Sequence, residues 1–206
     1  MRRIEHPNHA RFLTFSCYRR LPLFNNDAIK DAFVRHLAET RAKTGFHLLA
    51  WVVMPEHVHL LIWPRLPEFP VSVVCWRLKR EFARRVVARW RDLSAPVLGV
   101  IQASDGRPRF WQRGGGYDRN IVDGPELAEK IRYINENPVR RGLVERATAW
   151  RWSSARWYAG ERSGALMSGA ARRPRGSWHD CAASGESWHP AAPEAGHPIQ
   201  EEGIRR

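Results

Sequence analysis

Two histidines, His57 and His59, are the residues whose type and spacing best suit chemistry. They lie in the segment MPEHVHLLIW, residues 54–63. If this segment is a strand, residues two apart project from the same face of the sheet, and the apolar residues between them face the core. Two neutral imidazoles on one face could bind one divalent cation. The simpler alternative is that both histidines merely lie on a half-buried strand.

A tyrosine and an asparagine four residues apart provide a second group. Residues 123–137 are predicted to form a helix, which Pro138 should stop. Tyr133 and Asn137 then lie along one helix face. Two imidazoles and the Asn137 carboxamide oxygen would give three ligands to Mg²⁺ or Mn²⁺, with positions left for phosphate oxygens.

A tyrosine hydroxyl near such an ion could attack a phosphate and store the energy of the broken strand as a phosphotyrosine ester. Each residue also has a plainer interpretation. Tyr133 can be a half-buried helix tyrosine, and Asn137 can be the residue that ends the helix. Tyr117, beside the three glycines 114–116, is the alternative nucleophile.

The elements that must position these side chains follow from periodicity and turn residues. In order they are a strand at 10–18, a helix at 27–44, a central strand at 46–53, the histidine strand, a long helix at 71–91, a last strand within 110–121 and the helix at 123–137. This order predicts an α+β fold in which helices pack on one face of an antiparallel sheet. The histidines would lie on the other face, under the helix that carries Tyr133.

Positive charge is concentrated in the part of the chain that should fold. The formal net charge is +13, and residues 161–206 carry six of the 34 Lys and Arg and six of the 21 Asp and Glu, so the whole excess falls on residues 1–160. A polyanion is the natural partner. Residues 161–206 are rich in Gly, Ser, Pro and Ala and are predicted to be a disordered tail after a single domain.

The helix at 71–91 is the candidate surface for a phosphate backbone. Seven cationic residues accompany one acidic residue, Glu81, and would repel one another without a partner; they are Arg77, Lys79, Arg80, Arg84, Arg85, Arg89 and Arg91. Arg113, Arg140 and Arg141 are further candidates for DNA contacts. The alternative is a solvated basic face.

The sequence favours neither a membrane protein nor a protein stabilised by disulfides or zinc. No apolar run approaches the length of a membrane span, and the first twelve residues lack the apolar stretch of a signal peptide. Cys17, Cys75 and Cys181 are far apart and match no zinc or disulfide pattern. A cytoplasmic, nucleoid-associated location is expected.

Five stretches in a fixed order resemble the REP-associated tyrosine transposases of the IS200-like, single-tyrosine HUH group: MPEHVHLLIWP, RLKREFARR, FWQRGGGYDRNI, RYINENPVRRGLVE and WRWSSA. The resemblance covers roughly residues 10–158. It implies a ferredoxin-like HUH domain, an endonuclease and transposase that cleaves and rejoins single-stranded DNA near a hairpin. By this resemblance His57 and His59 bind the metal, Tyr133 forms the 5′-phosphotyrosine bond, and Asn137 occupies the place of the third ligand.

The sequence departs from this pattern at Glu56, where an asparagine is common, and by expansions at 92–109 and at the glycines, which bear on DNA sequence preference. Two other functions stay open: a hairpin-binding protein without catalysis, and a ferredoxin-like RNA-binding module. RNA-binding sheets of this type present aromatic residues on the open face, whereas the open face here would present His57 and His59. The RNA-binding module is therefore disfavoured. The sequence leaves open whether the protein is a monomer or a homodimer, and whether the tyrosine comes from the same subunit or from a partner.

Overall fold

The central element is a four-stranded antiparallel sheet in a computed structural model that describes residues 9–114, 116–161 and 166. The strands are β1 (Ala10–Ser16), β2 (His47–Val53), β3 (His57–Trp63) and β4 (Tyr117–Ile121), in the spatial order β2-β3-β1-β4. The helices are α1 (Asp27–Thr44), α2 (Val71–Trp76), α3 (Phe82–Asp92), α4 (Val97–Val100), α5 (Gly124–Arg140) and α6 (Ala155–Tyr158).

Helices cover both faces of this sheet. On one face, α1, α2 and α3 pack over the main core, which includes Phe33, Phe82 and Leu60. On the other face, Ile131 and Ile134 of α5 pack over a smaller core. The order β1-α1-β2-β3-α2/α3-β4 is the ferredoxin-like arrangement. The predicted α+β fold is confirmed, with α5 on the opposite side of the sheet from the other long helices.

Local signals at the ends of α1 explain why its bounds match the prediction. The Asn26 side chain accepts a hydrogen bond from the backbone N–H of Ala28 at 2.8 Å. Gly45 ends the helix with φ +68°, a conformation that glycine adopts without steric cost. Buried Phe33 and Leu37 then hold α1 against the sheet.

The predicted helix at 71–91 is continuous but contains a π turn at Arg77–Glu81 between α2 and α3. We call residues 71–92 the basic helix. Its apolar stripe repeats every four residues, and in a pure α-helix such a repeat drifts by about 40° at each step. The wider π turn reduces this drift, so all five stripe residues are buried: Val74, Leu78, Phe82, Val86 and Trp90.

Strand β2 is at the edge of the sheet, whereas the sequence predicted a central strand. Its apolar character has another cause: the chain at residues 150–154 covers this edge. The Val53 N–H donates to the Trp152 carbonyl at 2.9 Å, and the Trp51 N–H donates to Ser154 Oγ at 3.1 Å. The edge is therefore buried without a fifth strand.

Helix α5 continues through Pro138 to Arg140, so the prediction that Pro138 stops it was wrong. The proline removes one backbone donor from the helix ladder, but α5 keeps its helical conformation past that position. The helix ladder goes on beyond it, since the Arg141 N–H donates to the Asn137 carbonyl at 3.1 Å. The Pro138 ring is itself buried.

Of the predicted tail, residues 161–206, only Glu161 and Leu166 are among the described residues, so its disorder stays a prediction. Leu166 packs against the main core, and its carbonyl accepts a hydrogen bond from the Arg41 guanidinium at 2.6 Å. Within the described ranges, no helix has the length and apolar character to cross a membrane.

Candidate metal and tyrosine site

The histidine pair, His57 and His59, lies on the sheet face that α5 covers. Both residues are nearly buried, at 5% and 6% exposed. In the strand register they lie opposite Ser16 and Thr14 of β1. Their Nε2 atoms are 2.9 Å apart. The prediction that β3 presents both imidazoles to one side is therefore confirmed.

Hydrogen bonds at the other ring nitrogens fix this arrangement. His57 Nδ1 donates to Glu56 Oε1 at 3.2 Å, and His59 Nδ1 is 2.8 Å from Thr14 Oγ1. When both Nδ1 atoms carry their hydrogens, both Nε2 lone pairs point at each other. Burial, followed by the charge of His57, lowers the pKa of His59 well below its usual range, which favours the neutral ring that binds metals.

Two converging lone pairs repel unless a cation lies between them. Donors at right angles, each about 2.1 Å from an octahedral cation, are about 3.0 Å apart. The observed 2.9 Å between the Nε2 atoms fits this spacing. Outer hydrogen bonds at Nδ1 are also what orients metal-binding histidines in general.

Tyr133 faces the histidine pair from α5. The centre of its half-buried ring is 5.4 Å from that of His59 and 6.0 Å from that of Phe12. The Arg140 guanidinium lies over the Tyr133 ring, 5.4 Å from its centre. Tyr117, the alternative candidate, lies on β4, is 53% exposed and packs against Phe12.

Asn137 lies one helical turn beyond Tyr133. Tyr133 contacts His59, and Arg141, another turn on, binds Glu56 beside His57 at 2.9 Å. Asn137 is therefore on the α5 face directed at the histidine pair. It is buried, and its Oδ1 has no hydrogen-bond partner among the described residues.

A buried amide oxygen without a partner is costly unless something binds it. The Asn137 carbonyl therefore fits the predicted third ligand. No group of three or more His, Cys, Asp or Glu side chains in the described part of the chain could hold a metal. A three-ligand protein site at the histidine pair consequently needs the amide.

Three side chains at this site were not assigned roles from the sequence. Glu56 was noted only as a departure from the family pattern, and Thr14 and Arg20 were given no part in the site. Arg20 Nη2 is 4.0 Å from Glu56 Oε1. The hydrogen bond from His57 is the main reason that the pKa of Glu56 falls to about 2, with the charges of His57 and Arg141 adding to it against the effect of burial.

The cationic residues predicted to bind DNA divide between two places. Arg140 and Arg141 lie at the histidine pair. The basic helix lies across the sheet from it, and Lys79 of that helix donates a 2.7 Å hydrogen bond to the Gly114 carbonyl of the glycine loop. Arg113 lies in the same glycine loop and is exposed.

Ion pairs reduce the charge excess of the basic helix. Arg85 pairs with Glu39 at 2.7 Å, and Arg77 pairs with Glu81 at 3.6 Å. Arg80 lies over the half-exposed ring of Trp76, 5.4 Å from its centre.

Comparisons with known proteins agree with the resemblance. A "Putative REP-associated tyrosine transposase" of Haemophilus influenzae is 29% identical over 147 residues, which are 69% of this chain and 77% of that protein. A "REP-associated tyrosine transposase" of Escherichia coli K12 is 28% identical over 123 residues, 59% of this chain and 62% of that protein.

A solved structure of a REP-associated tyrosine transposase bound to a REP hairpin has the same fold. The TM-score is 0.59 at 20% sequence identity, over 81% of this chain and 88% of that chain. The family model "Transposase IS200 like" matches residues 8–137, which contain the sheet, the histidine pair, Tyr133 and Asn137. The chain belongs to the family of IS200-like transposases.

Proposed function

We propose that this protein is a metal-dependent transposase that cleaves and rejoins single-stranded DNA near hairpins through a 5′-phosphotyrosine bond on Tyr133. The observation that carries the proposal is the contact of Tyr133 with His59 of the histidine pair, on a helix that also carries the buried, unpartnered Asn137 Oδ1. The names of the relatives and the REP hairpin in the solved structure support the choice of substrate.

His57 Nε2, His59 Nε2 and Asn137 Oδ1 would hold the metal. Mg²⁺ or Mn²⁺ bound there would act as a Lewis acid on the scissile phosphate. The buried position of the three donors excludes water from that side of the phosphate, and Thr14 and Glu56 keep the imidazoles in the binding orientation.

Tyr133 Oη would attack the phosphorus. A bond forms between Oη and phosphorus, the bond to the 3′ oxygen of the leaving strand breaks, and that oxygen takes up a proton as the tyrosine loses one. Arg140 lies over the Tyr133 ring, where its charge stabilises the negative charge on the attacking oxygen. Attack by a second 3′ hydroxyl reverses the step and joins the ends without ATP.

The DNA strand would be held by cationic side chains on both faces of the sheet. The proposed phosphate contacts are Arg77, Lys79, Arg80, Arg84, Arg85, Arg113, Arg140 and Arg141. The excess of Lys and Arg on residues 1–160 supports a polyanionic partner. Arg140 and Arg141 are closest to the histidine pair, so they suit the phosphates next to the cleaved bond.

The test is formation of a covalent protein–DNA adduct. Full-length protein is mixed with a single-stranded hairpin oligonucleotide and Mg²⁺ or Mn²⁺, and SDS gel electrophoresis detects the adduct. Wild type should form it, and Tyr133→Phe should not, because the phenylalanine keeps the ring packing but lacks the hydroxyl. Tyr117→Phe, whose ring also packs on Phe12, is the matched control and should react like wild type.

An equal yield from wild type and Tyr133→Phe would exclude Tyr133 as the nucleophile. Loss of the adduct in Tyr117→Phe alone would transfer the role to Tyr117. Tight hairpin binding by wild type without any adduct would favour the rival function, a hairpin-binding protein without catalysis.

A further inference from the structure

We propose that Glu56 is a positioning residue that joins helix α5 to the histidine pair through Arg141. The inference rests on the proposed function, in which α5 carries the nucleophile and the third ligand. Its basis is one carboxylate oxygen, Oε1, which accepts a hydrogen bond from His57 Nδ1 and forms an ion pair with Arg141 Nη1.

The Glu56 backbone is held firmly at the start of β3. Its carbonyl accepts a hydrogen bond from the Cys17 N–H at 2.8 Å, and the carbonyl of the preceding Pro55 accepts one from the Phe24 N–H at 2.9 Å. The side chain is only 11% exposed. The carboxylate therefore has a defined place between the sheet and α5.

A nearly buried carboxylate needs charged or hydrogen-bonding partners. Arg141 Nη1 is 2.9 Å away and His57 Nδ1 is 3.2 Å away. Removing either partner leaves the other interaction to bear the cost of the buried charge. The orientation of the His57 ring and the position of Arg141 are therefore energetically linked through Glu56.

Arg141 directly follows the last residue of α5, and Tyr133 and Asn137 precede it by eight and four positions on the same face. Ser154 links α5 to β2, because its Oγ donates to Asn135 Oδ1 at 2.7 Å and accepts from the Trp51 N–H of β2 at 3.1 Å. The Glu56 contact ties the end of α5 to β3. It thereby sets the distance from Asn137 and Tyr133 to the histidine pair.

The substitution Glu56→Gln tests this link, because glutamine keeps the shape and one acceptor oxygen but loses the charge. Charge-assisted hydrogen bonds are about twice as strong as neutral ones. The first measurement is Mn²⁺ affinity by titration calorimetry on the full chain without DNA. Glu56→Gln should weaken Mn²⁺ binding about 10- to 100-fold, the usual effect of losing an outer partner of a metal ligand.

The second measurement is amide hydrogen exchange at residues 136–141. Both Glu56→Gln and Arg141→Gln should speed exchange there, and the double variant should be no faster than either single variant, because both remove one interaction. Arg141 is 49% exposed, so its substitution should not unfold the protein. Arg141→Lys should restore part of the protection, since lysine keeps the charge without the planar guanidinium.

Glu39→Gln is the matched control, because Glu39 also pairs with an arginine but lies across the sheet from the histidine pair. It should change neither readout. The proposal is overturned if Glu56→Gln and Arg141→Gln leave exchange at residues 136–141 within twofold of wild type, or if their effects add in the double variant.

These readouts need no DNA cleavage. A wild-type protein that forms no adduct, but whose α5 loses protection in both variants, would refute the proposed enzyme and leave the role of Glu56 intact. Full adduct formation by wild type, together with unchanged hydrogen exchange in both variants, would support the proposed enzyme and refute the role of Glu56.

Discussion

At the scale of single residues, the two Nε2 atoms 2.9 Å apart explain why this site suits a cation. The Nδ1 atoms of His57 and His59 are hydrogen-bonded to Glu56 and Thr14, respectively. With both Nδ1 atoms protonated, the two Nε2 lone pairs converge, and the Asn137 amide oxygen on the facing helix lacks a hydrogen-bond partner among the described residues. Three donors of this kind cost free energy when empty, and binding one ion would satisfy all three.

His57→Ala should abolish adduct formation while hairpin affinity stays within about threefold of wild type, a change below about 1 kcal/mol. The reason is that phosphate contacts by Lys and Arg dominate nucleic-acid affinity, whereas the metal is needed for the chemical step. Fluorescence anisotropy with a labelled hairpin measures the affinity, and an SDS gel measures the adduct.

His47→Ala is the control for this prediction, since His47 is a half-buried histidine on β2. It should retain both activities. A loss of hairpin affinity in His57→Ala far above threefold would show that the metal site also holds the strand.

At the scale of elements, prediction from sequence succeeded where a local signal decides the structure. The ends of α1 were predicted because Asn26 and Gly45 cap it. The edge position of β2 was missed because its cover, the Trp152–Ser154 chain, is about a hundred residues away. A distant segment leaves no mark in the alternation of a strand. Pro138 was overestimated as a stop signal because a proline removes one backbone hydrogen bond of a helix while the ladder can resume beyond it, as it does at Arg141.

Of the proposed site, the sequence indicates only the candidate ligands and the candidate nucleophile. His57, His59, Tyr133 and Asn137 have types and spacings that indicate chemistry. Arg20 has no such spacing, because the fold alone brings its turn next to Glu56.

Gly116 allows the start of β4 to pack closely against β1, so its substitution should lower the stability of the protein. Its φ is +77°, and a Cβ built there would be 2.2 Å from the Thr14 carbonyl oxygen. Gly116→Ala should destabilise the protein by more than about 2 kcal/mol, since positive φ alone costs an alanine about 1–2 kcal/mol and the clash adds to it. Urea unfolding measures the free energy of unfolding.

Gly114→Ala is the matched control, with φ +102° and no atom within 4 Å of the built Cβ. Its free energy of unfolding should fall only by the cost of the positive φ, about 1–2 kcal/mol. Equal losses in both variants would mean that the chain at 116 moves away from β1 without cost.

At the scale of the whole molecule, one chain brings together every side chain of the proposed site. Tyr133 lies against His59 of its own sheet. Helix α5 is tied to that sheet by Asn135 and Ser154 and by Arg141 and Glu56. A homodimer, which the sequence left open, is therefore not needed to complete the site.

A mixing experiment tests this arrangement. His57→Ala retains the tyrosine and Tyr133→Phe retains the histidines, so an equimolar mixture would regain activity if one subunit supplied its tyrosine to another. The expected result is no adduct above that of the separate variants on an SDS gel. Recovery toward about a quarter of the wild-type yield, the share of complete sites that random pairing gives, would show exchange of α5 between subunits.

The placement of the basic helix and the histidine pair on opposite faces of the sheet has a consequence for substrate length. A helix with its side chains is about 10–12 Å across, so a strand that touches both regions must travel at least that far around the sheet. At 3.4 Å per stacked nucleotide this takes about three to four nucleotides. Oligonucleotides trimmed to the cleaved bond alone would miss the basic helix, and a substrate must extend past the scissile position to use the full positive surface.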